Sequence, residues 1–165
     1  MNNKVLFIGI IGTREPEKEL QLNYHQFCSL IDNKLTPLLQ QEHILVIVSG
    51  KAPGIDTWAE QYARERSYYY MDFLGDLFFM LPYQGPENRF FKRNGLVAMT
   101  SDIFLSFPSF KFDKVAGGTK NTLNQAYKLG KGMNIHIYDP ISKIFFNWAR
   151  PINQFDLPPF HPKGL

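Results

Sequence analysis

At 165 residues, 44% hydrophobic and 20% charged, the chain has the size and composition of one globular domain. An aromatic content of 15% excludes disorder over most of the length, and a net charge of +3, with acids and bases interspersed, demands no polyanion. The single cysteine, Cys28, excludes an internal disulfide and a cysteine-rich metal site.

Residues 5–11 form a near-continuous apolar run rich in β-branched side chains, the pattern of a strand buried on both faces. Leu20, Tyr24, Phe27, Ile31, Leu35 and Leu38 then recur at helical spacing and predict one helix, which Pro37 has to kink or restart. Cys28 lies in this apolar pattern and reads as a small core residue rather than a nucleophile. A second buried strand is expected at residues 44–48. The helix after it, residues 56–66, has Trp58, Ala59, Tyr62 and Ala63 on its inner face. From 68 to 83 helix and strand patterns compete among many aromatics, with residues 77–81 the expected third strand.

Helical spacing returns at residues 90–100, and residues 102–107 make a fourth strand. A glycine turn at 116–119 leads into a helix through Leu123, Ala126 and Tyr127. Gly130 stops that helix, with Lys128 and Lys131 near its negative end. Residues 134–138 are a fifth strand, and 143–148 return as an antiparallel edge strand. Alternation of strand and helix predicts an α/β fold: a Rossmann-like, three-layer parallel sheet with helices on both faces. Residues 1–150 form the domain, and 151–165, with four prolines, form an irregular tail that packs on its own surface or a partner's. No secretory pattern and no membrane-spanning run is visible, so cytosol is the expected compartment.

In such a sheet the carboxyl ends of the strands share one rim, where ligands of open α/β folds bind. Gly12, Thr13 and Arg14 follow the first strand, Ser49, Gly50 and Lys51 the second, and Gly117, Gly118 and Thr119 precede a helix. Glycines admit a phosphate close to the backbone, and free N–H groups at a helix start favour an anion. Arg14 and Arg93 offer planar donors that match two phosphate oxygens, and Asn94 adjoins Arg93. Thr119 is the expected cap of its helix, and a plain strand-to-helix turn accounts for the glycines equally well. At residues 49–56, Ser49 and Gly50 are expected to face the ligand, while Asp56 pairs with free N–H groups at a helix start. Asp56 and Glu87 are the only acids expected near these loops. His25, His43, His136 and His161 show no metal-binding spacing.

Taken in order, Gly12-Thr13-Arg14, the block Ser49-Gly50-Lys51-Ala52-Pro53-Gly54-Ile55-Asp56, Arg93-Asn94 and Gly117-Gly118-Thr119 resemble the SLOG superfamily, named for the Smf/DprA and LOG proteins, and its YspA-like branch in particular. The resemblance implies a domain that binds a nucleotide or nucleotide derivative, such as ADP-ribose or NAD, for sensing or sequestration, often as a homodimer or higher oligomer. The LOG-type phosphoribohydrolases of this superfamily carry a glutamate where Thr122 stands, so N-glycosidic hydrolysis is the alternative, with Asp56 its only catalytic candidate. Binding of single-stranded DNA, as in DprA-like proteins, is a further alternative. No cofactor or metal is required, and a phosphate-bearing small molecule is the expected partner.

Overall fold

The structure is a computed structural model that describes residues 3–73, 86–111, 114–115 and 117–147. The strand expected at 77–81 and the tail at 151–165 lie outside the described residues. In chain order come β1 (Val5–Gly12), α1 (Pro16–Leu20), α2 (Tyr24–Gln40), β2 (Ile44–Val48), α3 (Ile55–Glu65) and β3 (Tyr69–Met71). They are followed by α4 (Pro86–Thr100), β4 (Ile103–Phe107), β5 (Phe110–Lys111), β6 (Lys114–Val115), α5 (Gly117–Lys128), β7 (Ile135–Asp139) and β8 (Ile144–Asn147).

Among the described residues six strands form one sheet in the order β3-β2-β1-β4-β7-β8. All neighbours are parallel except β7 and β8, where the chain returns antiparallel, with Asp139 opposite Ile144 and His136 opposite Asn147. The fold is therefore the expected α/β class with an antiparallel edge. Strand alternation divides the core. Leu6, Ile8, Ile10, Leu105, Phe107 and Tyr138 face one side, where Phe27, Ile31 and Leu35 of α2 and Ala59, Tyr62 and Ala63 of α3 meet them. Ile11, Phe104, Ile135 and Ile137 face the other, against Val97 and Ala98 of α4 and Leu123 and Ala126 of α5. Helices thus cover both faces. Cys28 is buried on the first.

One local expectation needs correction, and two others are sharpened. The helix expected from Leu20 onward is two. Pro16 opens the short α1 at a position where its missing N–H costs nothing, and Gln21 ends it in the left-handed region at φ 50°. Asn23 then starts α2 with a capping box: its side chain accepts from the Gln26 N–H while the Gln26 side chain accepts from the Asn23 N–H. Of the two outcomes expected at Pro37, a restart does not occur, since α2 runs on to Gln40; burial of Ile31 and Leu35 outweighs the one helical hydrogen bond that proline removes. Finally, the strand beside β2 is β3 at Tyr69–Met71.

The sheet order reverses direction between β2 and β4, on either side of β1. That reversal leaves a crevice at the carboxyl ends of β1 and β4, where the two outgoing chains part.

Candidate functional site

A cavity of about 590 Å³ occupies that crevice, a volume within the usual range for small-molecule sites. The loops singled out in the sequence converge on it from four places. Gly12, Thr13 and Arg14 come from the end of β1, Gly50 from the end of β2, Arg93 and Asn94 from α4, and Gly118 and Thr119 from α5. Arg14 is exposed, whereas Arg93 and Asn94 are 7% and 5% exposed.

Two residues of the expected set turn elsewhere. Ser49 is fully buried; its hydroxyl pairs with the Tyr70 hydroxyl at 2.7 Å and lies 3.4 Å from the Asp56 carbonyl. Lys51, in the left-handed region at φ 59°, pairs with Asp72 at 3.8 Å. Gly117 opens α5, so Thr119 is the third residue of that helix and not its cap.

Asp56 has the structural role expected of it, by a different route. It does not cap a helix, since Gly54 holds the capping position of α3. Instead its Oδ2 accepts from the Gly50 N–H at 3.1 Å and the Ala52 N–H at 3.3 Å, pinning the loop back on itself. Burial pushes its carboxyl up to about 6, against the hydrogen bonds and the positive charge of Arg93, which favour the ionised form. Arg93 is the counterpart. Burial lowers its pKa, Asp56 raises it again, and the like charge of Arg14 lowers it. The two arginines and the aspartate therefore share one electrostatic neighbourhood on the cavity wall.

The opposite polarity enters from α1. Glu15 and Glu19 line the same cavity, and neither was expected there. Glu19 Oε2 accepts from Thr13 Oγ1 at 2.7 Å, and Thr13 Oγ1 accepts in turn from the Glu15 N–H at 3.2 Å. The short α1 carries this segment at the rim, and the break at Gln21 separates it from α2. The pairing of Pro16 at a helix start with the Asn23/Gln26 capping box was the signal in the sequence for two helices.

On the remaining wall, Asn94 Nδ2 donates to the Gly118 carbonyl at 3.4 Å and to Asn121 Oδ1 at 3.1 Å. Thr122, 3% exposed, donates to the same Gly118 carbonyl at 3.1 Å and reaches the cavity. These bonds fix the first turn of α5 against α4. Among the described residues no group of three or more His, Cys, Asp or Glu side chains is placed to hold a metal. No helix among them is long and apolar enough to cross a membrane.

No family model matches the chain, and no curated protein matches it in sequence. Among solved structures, it is similar in chain path to the X-ray structure of TM1055, a Northeast Structural Genomics Consortium target. That match covers 92% of this chain and 95% of the other, with 14% identity and a TM-score of 0.48. By its own sheet order and paired faces, the chain has a Rossmann-like α/β fold.

Proposed function

We propose that this domain binds a nucleotide or nucleotide derivative of the ADP-ribose or NAD kind in the cavity at the ends of β1 and β4, for sensing or sequestration. The observation that carries the proposal is the convergence of Arg14, Arg93 and the first turn of α5 on a single crevice. Arginines and the N–H groups of a helix start are complementary to phosphate, and the crevice lies where open α/β sheets take ligands. The order of the loops supports placement in the SLOG superfamily and its YspA-like branch as part of the same proposal. Self-association belongs to it too. Tyr69, 70% exposed, lies on an edge strand, and light scattering at micromolar concentration showing only a 19.1 kDa species would reject that part.

The test is a thermal-shift screen of nucleotides, NAD and ADP-ribose on wild type and Gly118→Val. Among the described residues a Cβ at Gly118 meets nothing nearer than Asn94 Nδ2 at 3.8 Å, so the fold accepts a side chain that intrudes on the site. At least one stabilising compound is expected for wild type, with its effect lost in Gly118→Val. A blank for the whole panel on folded protein would sink the proposal.

A second reading, hydrolysis of an N-glycosidic bond, is favoured by the carboxylates of Asp56 and Glu19 in the same cavity. Asp56 is the weaker of the two, because its Oδ2 already serves two backbone N–H groups. Chromatography after incubation with nucleoside monophosphates and NAD separates the readings: intact ligand means binding, and free base in multiple turnovers means catalysis.

A further inference from the structure

The rim of the sheet opposite the cavity carries an apolar patch. Met99, in the last turn of α4, is 64% exposed; Leu129, just past α5, is 51% exposed, and Met133, just before β7, is 72% exposed. Lys131 draws their backbones together: it lies between Leu129 and Met133 in the chain, and its ammonium group donates to the Ala98, Met99 and Ser101 carbonyls. Methionine is unbranched and polarizable, so a surface holding two of them adapts to an aromatic ring and gains sulfur–aromatic contact.

The chain itself arrives at this patch. β8 runs back along β7 from the cavity end, with Ile144 opposite Asp139 and Asn147 opposite His136. Its last residue, Asn147, donates from its side-chain amide to the Met133 carbonyl. Residues 148–165 follow, with Phe155, Leu157 and Phe160 among four prolines. A chain can span about 3.3 Å per residue, so Phe155 and Phe160 have ample reach. A short tether holds such a segment at an effective concentration of about a millimolar, far above that of a second copy in a micromolar solution. Proline fixes φ, so the segment surrenders little backbone freedom on docking. Val5 and Ile44 are also exposed on this rim, but at the starts of β1 and β2, with β4 and β7 between them and β8.

We propose that the segment 151–165 docks on this patch of its own chain, with Phe155 and Phe160 seated against Met99, Leu129 and Met133. The patch lies at the rim away from the cavity, so the contact is independent of what the cavity binds.

The experiment is photo-crosslinking of the full chain carrying p-benzoylphenylalanine in place of Phe160, read by peptide mass spectrometry. The expected product is an adduct with Met99, Leu129 or Met133 inside a single 19.1 kDa chain. Adducts elsewhere in the same chain, or no adduct at all, overturn the proposal. Adducts that join two chains overturn it as well and assign the patch to a second copy. Limited chymotrypsin digestion of the native full chain gives a second readout, because cleavage after Phe155 and Phe160 follows the undocked fraction. Met133→Lys is expected to speed that cleavage at least about fivefold, since an exposed position accepts the charge without unfolding the domain while an aromatic ring does not pack on it. Leu39→Lys, an exposed apolar position at the end of α2, is expected to leave the rate as in wild type. An unchanged rate in Met133→Lys, or equal acceleration in both variants, overturns the proposal.

Discussion

Two glycine turns border the cavity, and they are built on opposite plans. The turn between β2 and α3 is closed on itself. Asp56 takes the Gly50 and Ala52 N–H groups, and Gly54 sits at φ 82° with the Thr13 and Arg14 carbonyls 2.5 Å from where a Cβ would stand. The start of α5 is open: Gly118 is exposed, and among the described residues a Cβ there would touch only Asn94, at ordinary contact distance. In the first turn, glycine leaves room for the protein's own backbone. In the second, it leaves room that no described residue fills. Only the second kind points to a guest molecule, and the sequence alone does not distinguish them.

Substitutions can break or sharpen this contrast. Gly54→Ala should have the largest effect, because it sets a side chain at positive φ against two carbonyls; a loss of about 3 kcal/mol or more is expected in denaturant unfolding. A midpoint close to wild type would show that the turn is not closed as described. Gly50→Ala should cost less, about 1–3 kcal/mol, since its Cβ presses on side chains that can give way. Those neighbours are Asp56 Oδ2 at 2.9 Å and Arg93 Nε at 3.1 Å. Gly118→Ala should change stability by no more than about 0.5 kcal/mol. A large destabilisation there would erase the distinction between the turns.

Asp56 gives the same contrast a pH dependence. Its carboxyl titrates near 6 in the folded protein and at 3.8 ordinarily. The folded state therefore holds this proton more tightly than the unfolded chain. The stability this gives is fully present below 3.8 and is lost as pH rises through 6. Relative to Asp56→Asn, which cannot titrate, wild type should become less stable across that window and level off above it. Unfolding midpoints measured for both proteins from pH 4 to pH 8 check this; a constant difference would mean that Asp56 is not buried as a charge.

Most of the sheet was legible because its strands are buried on both faces, and unbroken apolar runs such as Ile44–Val48 admit few other readings. β3 was not, because its exposed Tyr69 and Met71 flank a half-buried Tyr70 within a long aromatic stretch. The cavity's basic and glycine-bearing wall was legible from residue type and position after strands. Its acidic wall was hidden by a coincidence of period: Leu20, at the end of α1, falls in helical step with Tyr24 and Phe27 of α2, so the hydrophobic pattern runs straight across a break that only the caps reveal. Ser49 misled for the converse reason. A small polar residue at a strand end looks available to a ligand, but here Tyr70 from the neighbouring strand claims it.

Beyond the end of α5, Lys131 reaches across to the last turn of α4, where its ammonium group donates to the carbonyls of Ala98, Met99 and Ser101 at 2.9, 2.7 and 2.7 Å. Asn94, midway along α4, clasps the first turn of α5 beside the cavity. Rods fastened at two separate points cannot slide past each other without undoing a fastening, so the C-terminal half of α4 and α5 behave mechanically as one plate. Opposite stands α1, a single five-residue turn hung between two loops. Whatever enters the crevice meets a fixed jaw on one side, and the give needed to admit it has to come from the other.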